Sequence, residues 1–201
     1  MKKCITISRG NSKLGSVPSF SLEPIKTCTN CAKKCYAAKL ARLRKTVRDS
    51  WEANTDAART AEGREQIRAG VRFACFNSRF FRWHVAGDII SPEYFNDVII
   101  ACAFENPHVK FLIFTKNFGV VNDFVSAGGV IPSNLQIIFS GWGESLRPAN
   151  PYSFPESDII FRGEDDSHAE KICGGNCTEC NMRGVGCWEL KPGEKIYFRE
   201  H

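Results

Sequence analysis

Two near-continuous apolar runs, Val109–Thr115 (VKFLIFT) and Leu135–Ser140 (LQIIFS), limit this chain more than any other feature. A strand without a polar face must be covered on both sides, which is the condition of a parallel sheet between helices. The remaining segments follow that alternation. Cys4–Ser8, Phe80–Val85 and Ile159–Phe161 read as further strands. Ala32 to about Asn77 is rich in Ala, Lys, Arg and Glu and predicts helix, with Gly63 as the expected break. Ser91-Pro92-Glu93 opens a second helix with a capping hydroxyl, Pro at the first helical position and a carboxylate in the first turn, running to about Glu105. A shorter helix, Val120–Ala127, ends at Gly128-Gly129. Right-handed crossovers curl such a sheet towards a barrel. Eight complete units need about 250 residues, and this chain has 201. The expected fold is therefore α/β, a partial (β/α) barrel with a mostly parallel sheet over residues 1–164. A cysteine-rich, metal-binding C-terminal appendage, 165–201, packs on it, and the loop Gly141–Pro155 lies across the open end.

Seven of the ten cysteines fall into two short groups: Cys28, Cys31 and Cys35, then Cys173, Cys177, Cys180 and Cys187. No apolar stretch approaches a membrane span. The basic start, Met1-Lys2-Lys3, is cut short by Ser8, Arg9, Asn11 and Ser12 before any signal-peptide core forms. The expected compartment is the cytoplasm, where clustered cysteines serve as metal ligands or catalytic thiols more often than as disulfides. Three thiolates hold a metal centre with one corner open, and four close one. The first group sits where a loop runs into a helix, a place that favours thiolate, and Lys33 and Lys34 offset negative charge there. The second group has four sulfurs and glycines at 174, 175, 184 and 186 that allow a tight wrap. Spacing leaves the metal open between a [4Fe-4S] cluster and zinc, and leaves open two separate centres or one shared. Cys75 and Cys102 lie among apolar residues and read as inert core thiols.

Other candidates follow strand ends, where parallel α/β folds do chemistry. His84 and Asp88 flank Gly87, which leaves room for a ligand. His84 is suited to proton transfer, to metal ligation or to a core hydrogen bond. Lys116 follows a strand and fits a carboxylate or phosphate. Ser140 and Trp142 follow the next strand, with Trp142 placed to stack on a base or to cover the core edge, and Glu144 and Arg147 beyond them as a polar rim. The run Lys39, Arg42, Arg44, Lys45 and Arg48 either tracks a nucleic-acid backbone or, given Asp49, Glu52 and Asp56 close behind, forms a solvated helix face. A net charge of +5 permits an anionic partner without requiring one.

Arg9-Gly10-Asn11-Ser12-Lys13-Leu14-Gly15, Phe20-Ser21-Leu22 and Thr27-Cys28…Cys31…Cys35-Tyr36-Ala37 together resemble the gene product 88 family of phages and mobile elements. So do Phe81–Asp88 (FRWHVAGD), Phe114-Thr115-Lys116 and Cys177-Thr178-Glu179-Cys180…Cys187-Trp188. The cysteine segment is also similar to that of phage proteins that look like radical S-adenosylmethionine (SAM) enzymes. That likeness implies a four-iron cluster on Cys28, Cys31 and Cys35 whose open iron takes SAM, with Gly87 and Asp88 near the methionine end. The spacing here is two then three residues, where radical SAM enzymes usually show three then two. The resemblance implies an iron–sulfur enzyme acting on a nucleotide, nucleic acid or peptide in an infected bacterial cell, with His84, Asp88 and Lys116 positioning the reactant and a second cluster in the tail. The rival expectations are a non-catalytic zinc or iron–sulfur module docking nucleic acid or a phage replication partner, and an electron-transfer protein.

Overall fold

The computed structural model describes residues 4–28, 35–184 and 186–200. Six parallel strands form one open sheet in sequence order: β1 (Ser19–Phe20), β2 (Phe80–Trp83), β3 (Lys110–Thr115), β4 (Leu135–Ser140), β5 (Glu156–Ile160) and β6 (Lys195–Arg199). β1 and β6 are its edges. The two apolar runs pair with each other at the centre, Phe111 against Leu135 through Thr115 against Phe139. Register then shifts. Ser140, at the end of β4, pairs with Ser157 near the start of β5, which pairs with Ile196 of β6. This stagger carries β5 and β6 past the ends of β2–β4, so they stand as a wall beside the C-terminal edge.

Side-chain alternation assigns the two faces. One face presents Phe81, Trp83, Phe111, Ile113, Leu135, Ile137 and Phe139, all buried, to helices that include Ala61–Cys75 and Ala101–Glu105. Helices α1 (Tyr36–Leu43), α2 (Lys45–Ala58) and α3 (Ala61–Cys75) follow one another. The breaks fall at Arg44 and at Arg59-Thr60, not at Gly63 as composition predicts. Thr60 caps α3 by accepting the Gly63 N–H at 3.0 Å. Gly63 is instead a contact point, since a Cβ there would strike the Ala57 carbonyl of α2.

The next helical run starts at the predicted Ser91 cap, whose hydroxyl accepts the Tyr94 N–H at 3.1 Å. It passes through α4 (Pro92–Tyr94), a π-helical stretch Phe95–Ile100 and α5 (Ala101–Glu105). α6 (Phe118–Ser126) joins β3 to β4, and α7 (Cys177–Arg183) lies in the tail. Among the described residues no helix is long and apolar enough to cross a membrane.

The other face carries Phe80, Arg82, Leu112, Phe114, Gln136, Ile138, Ser140, Ile196 and Phe198. Its N-terminal half is covered by the loop around Leu14 and Val17 and by Trp188 and Leu190 of the tail. Trp188 meets Phe80 edge to face at 5.1 Å, and Gln136 donates to the Leu190 carbonyl at 2.9 Å. Cys177 N–H donates to Lys13 O at 2.9 Å, and Cys173 N–H to Tyr197 O at 2.9 Å. The tail is thus stitched to the N-terminal loop and to β6, and β6 itself falls within the segment expected to be only an appendage. Cys4–Ser8, expected as a strand, contributes a single antiparallel bridge from Ser8 to Ser19.

Candidate functional site

Among the described residues the C-terminal half of that second face is left open, and a cavity of about 560 Å³ sits there. Its lining includes Cys28, Cys35, His84, Gly87, Asp88, Lys116, Ser140 and Trp142, candidates drawn from five separate stretches of sequence. Cys31, Lys33 and Lys34 lie outside the described residues.

Cys35 stands at the N-cap of α1, the predicted loop-to-helix junction. The next residue anchors it, because the Tyr36 hydroxyl donates to the Val85 carbonyl just past β2. The start of α1 is thereby held to the strand end that carries His84 and Asp88.

Asp88 is buried, and both of its oxygens are engaged. Oδ1 accepts the Thr115 hydroxyl at 2.6 Å and the Ile89 N–H at 2.7 Å, and Oδ2 accepts the Lys116 N–H at 2.8 Å. Burial pushes its carboxyl up and these hydrogen bonds pull it back. It works as a clamp between the ends of β2 and β3. Gly87 has φ of 80°, and a Cβ there would fall 2.7 Å from Leu22 Cβ, so the room beside it is taken by the chain entering from β1.

His84 is 4% exposed and adopts a left-handed φ of 50°. Its Nε2 lies 3.0 Å from the Tyr94 hydroxyl, and its Nδ1 has no partner among the described residues. Burial, then the Arg82 cation, pushes its pKa down to about 3, so the ring is neutral at ordinary pH. Lys116 Nζ donates to Ser140 Oγ at 2.7 Å and stands 5.6 Å from the centre of the Trp142 ring. Trp142 rests edge-on against Phe161 at 5.9 Å. Glu144 and Arg147 pair with each other at the surface and do not line the cavity. Lys45 and Arg48 pair with Asp49 and Glu52 along α2, the solvated-face arrangement.

Lys13, Arg82, Asp158, Phe198 and Arg199 also line the cavity and were missed from sequence. Arg82 and Phe198 carry a legible signal, the inward phase of their strands. Lys13 and Asp158 reach the site only through the N-terminal loop and the shift in register.

In the tail, Cys173, Cys177 and Cys187 pack against the second-face core. Burial raises Cys177, Cys180 and Cys187, the last to about 12, and each also feels its neighbouring cysteines as like charges. Gly175 N–H points at Cys173 Sγ at 3.4 Å, and a Cβ on Gly186 would sit 3.0 Å from Cys180 Sγ. Soft donors gathered against glycine backbone suit a thiolate-bound centre. Among the described residues no group of three or more His, Cys, Asp or Glu side chains is arranged to hold a single metal ion. Cys75 and Cys102 are fully buried in the helical layer, and burial pushes both thiols up, Cys75 to about 12.

The sequence model of a family described as gene product 88 matches residues 2–188. No curated protein and no solved structure matches the chain.

Proposed function

The chain belongs to the gene product 88 family, and from that premise we propose that it is a small iron–sulfur enzyme of radical SAM-like design. In this reading the open sheet is an incomplete (β/α) barrel, and its cavity is the reaction chamber. One observation carries the proposal: Cys28 and Cys35 share a single cavity with the strand-end residues His84, Asp88, Lys116 and Ser140. The C-terminal ends of parallel strands are where such folds carry their chemistry, and Cys28 and Cys35 line the cavity there.

Cys28, Cys31 and Cys35 would hold a [4Fe-4S] cluster, and Cys173, Cys177, Cys180 and Cys187 a second, structural or auxiliary one. When bound, the first cluster supplies an electron and an iron with a free coordination position for SAM. The protein's own residues do the rest. Tyr36 ties the start of α1 to the end of β2, and Asp88 fixes the end of β3, so the mouth keeps its shape. Lys116, held by Ser140 and Trp142, offers a cation to a carboxylate or phosphate. His84, neutral and with Nδ1 unpartnered among the described residues, offers the reactant a hydrogen bond. The Phe114 and Phe198 rings exclude water from the floor.

Anaerobic preparation with iron and sulfide, followed by SAM and a reductant, tests this. The expected product is 5′-deoxyadenosine, absent with Cys28→Ala. Cys177→Ala should instead loosen the tail, because ligand binding there is also folding free energy. A colourless protein holding zinc alone would replace the enzyme with a structural metal module. A brown protein that leaves SAM untouched would point to electron transfer.

A further inference from the structure

Four cations line the cavity, and of these Arg199 alone forms a salt bridge among the described residues. Arg199 pairs with Asp166 at 2.6 Å, but Lys13, Arg82 and Lys116 form no ion pair among the described residues. Each of the three lies over an aromatic ring instead. The Arg82 guanidinium is 4.1 Å from the centre of Phe114, Lys13 Nζ 5.0 Å from Phe198 and Lys116 Nζ 5.6 Å from Trp142. Phe114 and Phe198 touch edge to face at 5.5 Å, so Arg82, Phe114, Phe198 and Lys13 make one continuous row across the floor.

The carboxylates of the lining are committed elsewhere. Asp88 accepts three hydrogen bonds, two of them from backbone N–H groups, and Asp158 Oδ1 accepts the Gly143 and Ile159 N–H groups at 2.7 and 2.8 Å. Glu200 accepts the Arg162 N–H at 3.2 Å. Among the described residues Arg82 Nε is shut off from solvent without an acceptor, and its charge faces the tail cysteines at 187, 177 and 173, where thiolate would offset it. An aromatic face returns little to a cation, so the ammonium groups of Lys13 and Lys116, which form no salt bridge among the described residues, remain to receive an anion.

We infer that the substrate of this cavity is a phosphomonoester of nucleotide size, its phosphate taken by the ammonium groups of Lys13 and Lys116 and its ring set against Trp142. A dianion matches two ammonium groups better than a carboxylate does. The 560 Å³ volume accommodates a mononucleotide and excludes a folded macromolecule. The inference rests on the proposal that this cavity is a substrate site, and it names the substrate class.

Calorimetric titration of the full chain with 5′-AMP, 5′-UMP, adenosine, uridine and inorganic phosphate tests it, on wild type and on Cys28→Ala. Both nucleotides should bind at least about tenfold more tightly than their nucleosides, with affinity falling as salt rises. Lys13→Gln and Lys116→Gln should each weaken nucleotide binding about fivefold, and Lys45→Gln should leave it unchanged. Equal affinity for nucleoside and nucleotide, indifference to both lysines, or no binding at all would overturn the inference. Phosphate-dependent binding that persists in Cys28→Ala, in a chain that never cleaves SAM, would leave this inference standing and remove the enzyme proposal. A SAM-cleaving protein with no phosphate preference would do the reverse.

Discussion

Ile113 and Phe114 are consecutive residues of β3, yet they belong to two different environments. Ile113 is sealed in a layer of aromatic and aliphatic side chains under the helices. Phe114 is partly exposed, carries Arg82 on its face and borders the cavity. The helical face is mostly an apolar core with two buried thiols, and its few polar groups are hydrogen-bonded within it, as where His108 meets the Cys75 carbonyl at 3.3 Å and Asn106 donates to the Cys102 carbonyl at 2.8 Å. The tail face interleaves cations, rings and a serine, and ends in an open cavity. One sheet therefore divides its work: the helical side holds the fold together, and the tail side presents the chemistry. Even the cysteines follow the division. Cys75 and Cys102 are ordinary core residues, whereas the tail cysteines pack at the margin of the second face.

Truncation should separate the faces most sharply. Phe111→Ala, on the helical face, is expected to cost about 3–5 kcal/mol in urea unfolding. Phe114→Leu, on the cavity face, should cost under about 1.5 kcal/mol while weakening nucleotide binding. Comparable losses from the two would erase the division.

His84 gives the next largest effect. Its folded pKa of about 3 lies below its ordinary 6.5. The stabilisation from keeping it neutral is complete above the ordinary value and is lost as pH falls towards the folded one. Wild type should therefore lose stability between about pH 6.5 and 3, by a few kcal/mol, beyond the loss seen in His84→Asn. Asn tolerates the left-handed backbone, so the comparison isolates the ring. Parallel urea midpoints for the two proteins across that range would show that the ring is not held neutral.

Gly63→Ala should destabilise by about 1–3 kcal/mol, because its Cβ enters the backbone of α2. A neutral result in thermal melts would mean the two helices part easily. The smallest effect is kinetic. Iodoacetamide should modify exposed Cys4 promptly and spare Cys75 and Cys102 in the native chain, as peptide mapping would show.

Much of the helical face was legible in sequence. The apolar runs of β3 and β4, the Ser91 cap and the inert thiols at 75 and 102 each follow from local pattern. β6 was hidden, although Ile196 and Phe198 alternate with Lys195, Tyr197 and Arg199, because the preceding cysteines drew the whole tail into one reading. The missed helix breaks have a similar origin. Gly63 looks like a local breaker but answers to a long-range contact, while the break at Arg44 has no Gly or Pro to mark it.

The site divides in the same way. His84, Asp88, Lys116, Ser140 and Trp142 announce themselves as polar or aromatic residues at strand ends. Their assembly with Cys28 and Cys35 depends on crossovers that no spacing encodes. Lys13 was invisible, since its contact with Phe198 joins the N-terminal loop to the last strand. Asp88 shows a further limit: its type and place suggest catalysis, whereas its hydrogen bonds make it a clamp.

Iron and acid-labile sulfide analysis of the anaerobically prepared chain, wild type beside Cys28→Ala, tests the central claim most directly. The account predicts iron and sulfide in the wild type and a partial loss in the variant, the tail retaining its share. Wild-type protein containing neither iron nor sulfide would contradict it.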